Sequence, residues 1–219
     1  TLLPIKYYKK LLSVEEEDYA VYAESTFSAE NRLLLLGMDV STKYTRRGPA
    51  MYERFADYIL KLAVSKKGNY IVFFPSYQFM EDVCRIFAEK TAGRSDLESI
   101  MQSQYMEEVH REEFLEKFKE NREKTLLGFC VMGGIFSEGI DLSRDRLIGA
   151  VIVGTGLPQV CNEREILKTF FEKRNMQGFD FAYLYPGMNK VLQSAGRVIR
   201  TEKDRGVILL LDERFLRRP

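Results

Sequence analysis

YIVFFPSYQFMEDVCRIF, residues 70–87, joins a strand to a helix through one turn. Tyr70 to Phe74 is a β-branched and aromatic run bounded by Gly68-Asn69 and Pro75-Ser76, the signature of a buried strand. Ser76 is placed to cap a helix whose apolar face carries Phe79, Val83 and Phe87. The alternation of strand and helix continues on either side, without an internal sequence repeat. Upstream, Leu33 to Val40 is an apolar run suited to a buried strand. Gly48-Pro49 then opens a helix with Met51, Phe55, Tyr58, Ile59 and Leu62 on one face, closed by Lys66-Lys67-Gly68. Downstream, residues 93–103 read as a polar connection. MEEVHREEFLEKFKEN (residues 106–121) follows as an amphipathic helix burying Val109, Phe114, Leu115 and Phe118. Leu126 to Met132, Leu147 to Val153 and Val207 to Leu211 read as further strands. Between them lie a loop from Gly154 to Val160, a helix from Arg164 to Arg174 and a helix after Pro186. Short apolar strands alternating with longer helices predict an α/β domain with a mostly parallel sheet sandwiched by helices. In such a sheet the functional loops lie at the carboxyl ends of the strands.

Composition narrows the function. Hydrophobic residues are 45% and charged residues 30% of 219, a globular profile, and no apolar run approaches the length of a membrane helix. Lys and Arg total 33 against 32 Asp and Glu, so a nucleic-acid surface must be local. Cys84, Cys130 and Cys161 are far apart and form no CxxC pair. A disulfide framework, a zinc site or a self-contained iron–sulfur cluster is not expected, and a reducing cytoplasm fits. His110 is the single histidine, so a His-rich metal site is excluded and no metal ligands are assigned. The absence of an initiator Met and the end at Arg218-Pro219 suggest residues 1–219 as one domain excised from a larger protein.

Three segments carry the chemistry. QSAGRVIR (residues 193–200) is expected on the helix after Pro186. There Arg197 and Arg200, three residues apart, would share a face with Gln193 one turn earlier, forming a fork for phosphate oxygens. Gly196 removes bulk there. GGIFSEGIDLSRDRL (residues 133–147) follows a strand; its glycines suit a loop that cradles phosphate through backbone N–H groups, with Glu138 and Asp141 as carboxylates. FFPSY (residues 73–77) places the hydroxyls of Ser76 and Tyr77 at a helix N-terminus, where a phosphate contact is favoured. There is no GxxxxGK[ST] loop and no strand ending in an acidic DEAH-like box, so these residues alone do not organise Mg-ATP.

In this order the three segments, with LLLDERF (residues 209–215), resemble helicase motifs IV, V and VI of the DinG/XPD family of superfamily 2. The resemblance runs from about Asn69 to Phe215 and is strongest over residues 133–141 and 193–215. TLLPIKYY (residues 1–8) is similar to the sequence following motif III of the first motor domain. The resemblance implies the second RecA-like domain of an ATP-dependent DNA helicase, inactive by itself, with ATP and Mg²⁺ bound mainly by the first. It implies that Arg197 and Arg200 meet the nucleotide phosphates, Arg200 as the arginine finger, and that Gln193 orients the pair or a water. A finger of this kind contributes roughly 10³–10⁵ in rate. Glu138, Gly139 and Asp141 would belong to the nucleotide side of the cleft, and Ser76, Tyr77, Gly134, Phe136 and Ser137 to the single-stranded DNA side. The expected partners are single-stranded DNA and the first motor domain of the same polypeptide, in a monomer moving 5′ to 3′. An iron–sulfur cluster, where the family has one, lies in the first motor domain. The rival readings are a RecA-like docking platform that has lost motor work and an RNA-directed helicase.

Overall fold

The structure is a computed structural model that describes the chain apart from residues 1–3, 13–18, 20, 22, 24–26, 137–141, 143 and 217–219. Six strands are described: β1 (Arg32–Gly37), β2 (Asn69–Phe74), β3 (Leu97–Met101), β4 (Thr125–Val131), β5 (Gly149–Val153) and β6 (Gly206–Leu211). They form one sheet in the order β1-β6-β5-β2-β4-β3, every neighbouring pair parallel. The principal helices are α1 (Ile5–Leu11), α2 (Pro49–Ser65), α3 (Tyr77–Thr91), α4 (Glu108–Glu116), α5 (Asn162–Glu172) and α6 (Tyr185–Ala195).

The alternation along β2 explains why both faces are covered. Tyr70, Val72 and Phe74 point to one side, where Phe55 and Ile59 of α2 and Phe79, Val83 and Phe87 of α3 bury them. Ile71 and Phe73 point to the other, against a cluster that includes Phe114, Phe118, Phe136 and Val191. All six β2 residues are buried, as a central parallel strand requires. Each such aromatic or branched side chain contributes roughly 1.5–3 kcal/mol by leaving water. The α/β layout with a parallel sheet predicted from the alternation is therefore the one observed.

Four local expectations are corrected. Leu33 to Val40 is not a buried strand: β1 is a sheet edge whose Leu33, Leu34, Leu35 and Leu36 all remain substantially exposed. Part of the connection at 93–103 is a strand, β3, on the opposite edge, where half-buried residues leave little apolar signal. The amphipathic helix is shorter than predicted, and Val109 faces solvent while Phe114 is buried. The helix after Pro186 is continuous with a π-helical turn, Asp180–Leu184, immediately before it. Pro186 has no N–H to offer Ala182, four residues back. The wide turn accommodates its ring, and Arg164 Nη1 donates to the Ala182 carbonyl at 2.6 Å. A third, smaller cluster seats α1 on this region: Tyr7 packs with Phe171 and Phe181.

Candidate functional site

The carboxyl ends of β2 and β4 carry the first two predicted segments, while the third runs from α6 to the amino end of β6. β2 ends at Phe74 and the chain turns into α3, where Ser76 is the N-cap and accepts from the Phe79 N–H at 3.3 Å. Tyr77 is tied inward. Its hydroxyl accepts from Gln102 Nε2 at 2.8 Å, while Gln102 Oε1 accepts from the Val131 N–H at 3.0 Å. Gln102, just past β3, is 2% exposed, so its amide couples the turn after β2 to the end of β4 with both ends satisfied. Composition gave no reason to single it out; its sole signal is a polar residue directly after a strand.

At the end of β4 the chain turns through Gly133, whose φ of +75° is left-handed and strained for any other residue. The Gly134 N–H donates back to the Val131 carbonyl at 3.2 Å. Phe136 does not stand toward a nucleic acid: it is fully buried and stacks on Phe114, ring centroids 4.4 Å apart. This corrects its assignment as a DNA contact. The resemblance implied a DNA contact, and nothing near Phe136 in the sequence signals its burial, because the partner ring lies on α4. Ser137, Glu138, Gly139 and Asp141 lie outside the described residues.

Arg197 and Arg200 do not share a helical face. The helix α6 ends at Ala195, Gly196 is its C-cap, and both arginines follow beyond it, Arg197 in a turn and Arg200 outside any regular element. The physical reason is a competing anchor. Buried Asp204 accepts from the Arg200 N–H at 2.8 Å and the Thr201 N–H at 2.7 Å, and from Thr201 Oγ1 at 2.8 Å. Those backbone N–H groups are thereby taken out of helix bonding. Val198, between the arginines, is 1% exposed and anchors the segment in the core. Gln193 remains on α6 and is exposed. Asp204 is a positioning residue that motif spacing did not reveal.

The stretch after β6 is a dense ionic knot. Asp212, 1% exposed, accepts at Oδ2 from the Thr42 N–H, Thr42 Oγ1 and Arg214 Nη2, each at 2.8 Å. Its Oδ1 accepts from Arg214 Nε at 2.7 Å and the Arg214 N–H at 3.0 Å. Burial pushes the Asp212 carboxyl up, but these hydrogen bonds outweigh it and hold the group below the usual carboxylate range. Glu213 next to it pairs with Lys43 at 2.9 Å and Arg46 at 2.8 Å. The LLDERF stretch thus fastens β6 to the segment leaving β1.

The loop after β5 and α6 meet closely. Gly156 has φ +65°, and a Cβ there would lie 2.7 Å from the Gly187 carbonyl oxygen. This contact sets α6 against the sheet and brings Lys190 over Gly133, a position the sequence reading passed over. Three residues before Gln193, Lys190 is signalled only by helical spacing. No group of three or more His, Cys, Asp or Glu side chains among the described residues is arranged to hold a metal. The cysteines do not fit an iron–sulfur cluster: Cys130 is buried, Cys84 is half-buried with its thiol pushed up to about 12 by burial, and Cys161 is exposed on α5's N-cap. No helix among the described residues is long and apolar enough to cross a membrane.

Comparison with known proteins places this geometry. Residues 59–219 match the family model described as helicase C-terminal domain. The chain is 30% identical to the ATP-dependent DNA helicase XPD of Sulfolobus acidocaldarius over 98% of its own length and 38% of that protein's. It is 27% identical to the general transcription and DNA repair factor IIH helicase subunit XPD/RAD3 of Saccharomyces cerevisiae, over 100% of this chain and 29% of that one. A solved structure named XPD_APO superposes with a TM-score of 0.77 at 28% identity, over 98% of this chain and 43% of the other. The chain therefore spans less than half the length of each of these relatives.

Proposed function

The chain belongs to the helicase C-terminal domain family, and from that premise we propose that it is the second motor domain of an ATP-dependent DNA helicase. It would complete an ATP site formed mainly by a preceding RecA-like domain and bind single-stranded DNA. The observation that carries this reading is the arginine segment. Asp204 fixes the backbone of Arg200 just beyond α6, on a chain with no Walker loop of its own among its 219 residues. A guanidinium held on a rigid turn at the edge of a domain suits charge developing on a phosphoryl group supplied from across a cleft. Mg²⁺ and the phosphate-cradling loop would come from the first domain. Arg197 would hold the nucleotide beside Arg200, with Gln193 orienting them. Glu138, Gly139 and Asp141 would line the nucleotide side, and Ser76, Gly134 and Ser137 the strand side. Tyr77 acts on this reading through Gln102, as a brace.

ATP-driven closure and opening of the two domains would move a single strand across them, 5′ to 3′ and as a monomer. Contacts would go mostly to the DNA backbone. The test is Arg200→Ala in the full-length enzyme. Steady-state ATPase stimulated by single-stranded DNA should fall about a thousandfold or more, the low end for a lost arginine finger, while DNA affinity stays within about twofold. Unchanged hydrolysis would remove Arg200 from the reaction. A wild-type enzyme without DNA-stimulated ATPase would point instead to a docking platform, and stimulation by RNA alone to an RNA helicase.

A further inference from the structure

Lys190 lies on α6 one turn before Gln193, half-buried, at the turn that ends β4. A Cβ built on Gly133 would stand 3.1 Å from its Cε and 3.3 Å from its Nζ, so the ammonium hangs directly over the glycine turn. Among the described residues no carboxylate or carbonyl takes a hydrogen bond or ion pair from it. The charged group that acts on it is another cation, Arg164, at the start of α5. Arg164 is itself held in place by the Ala182 carbonyl, to which Pro186 has no N–H to donate. Burial first, and the Arg164 charge second, hold the Lys190 ammonium below the usual lysine range. Two cations on neighbouring helices, one partly desolvated and without an acid among the described residues, constitute a site completed by an anion.

We infer that Lys190, backed by Arg164, is a phosphate contact for the single strand as it passes the Gly133–Gly134 turn. This inference rests on the proposed single-strand binding and adds a specific residue to it. The glycine turn leaves room for the Lys190 stem, which lies over it and carries the ammonium to the end of β4. The nucleotide phosphates are the competing anion. Lys190 is five residues before the end of α6 at Ala195, a rise of about 7.5 Å, and the arginines follow beyond that end. The contact carries no base information, because a lysine ammonium over a phosphate reads charge alone.

The experiment uses the full-length enzyme with a fluorescent oligo-dT strand and measures affinity across a tenfold range of salt. Lys190→Met keeps the aliphatic stem and removes the charge. One lost phosphate contact should reduce the slope of log K against log salt by about 0.7. The gap between wild type and variant should accordingly narrow about fivefold from low to high salt. Lys190→Arg should restore the wild-type slope, which a purely structural role would not require. Lys190→Gln serves if the Met variant fails to fold. An unchanged slope in a folded neutral variant would overturn the inference, as would a raised KM for ATP with no change in DNA binding. If wild type itself binds no single strand, the broader reading fails, and that result is distinct from an unchanged slope.

Discussion

Replacing Asp212 with Asn tests whether the ionic knot after β6 is a structural fastening. The substitution conserves shape and removes one acceptor. Its amide oxygen can serve the three donors now on Oδ2, but the amide nitrogen then faces the Arg214 N–H and Nε, two donors meeting a donor. Hydrogen bonds to charged groups contribute roughly 1.5–3 kcal/mol each, so losing two costs about 3–6 kcal/mol. Arg214 is 23% exposed in its side chain and recovers part of that from water, which puts the expected loss near 3 kcal/mol. With a urea m-value of about 2–3 kcal/mol per molar, the midpoint of unfolding should fall by about 1–1.5 M. Far-UV circular dichroism is the assay, the chain having no tryptophan. The loss should also depend on pH. Asp212 is held below its unfolded range, so its stabilisation is complete above that range and is lost as pH falls through the folded value. The gap between wild type and variant should be full at pH 6 and close progressively below about pH 4. Asp39 and Glu213, also held low, titrate in both proteins and largely cancel in the difference. A midpoint shift under about 0.3 M, or a gap that widens in acid, would refute the reasoning.

Two further outcomes follow from burial. Phe136→Ala should lower stability by about 3–5 kcal/mol, because the ring is fully buried against Phe114, and the same urea titration measures it; a loss below about 1 kcal/mol would return Phe136 to the surface. A thiol-specific chromogenic reagent should titrate Cys161 rapidly in the native protein at neutral pH. Cys84, with its thiol pushed up to about 12, and Cys130, whose thiol complete burial also pushes well up, should react only after denaturation.

The sequence determined the sheet and the order of the segments on it. Runs such as Tyr70 to Phe74 bury both faces whatever surrounds them, and the helices between them carry a single apolar stripe, so alternation and length suffice. The tertiary structure decided what each side chain does. Leu33 to Leu36 are as apolar as a central strand, yet β1 lies at an edge; edge or centre is a matter of pairing between strands distant in the chain. Phe136 reads as a surface aromatic until Phe114 arrives from another element. Arg197 and Arg200 have helical spacing, but Asp204 captures the Arg200 and Thr201 N–H groups and ends that option. Lys190 becomes notable only when a glycine turn from β4 and Arg164 from α5 close around it. Periodicity encodes which face of an element avoids water. Which partner meets that face, and which charge is left unanswered, depends on contacts made across the whole fold.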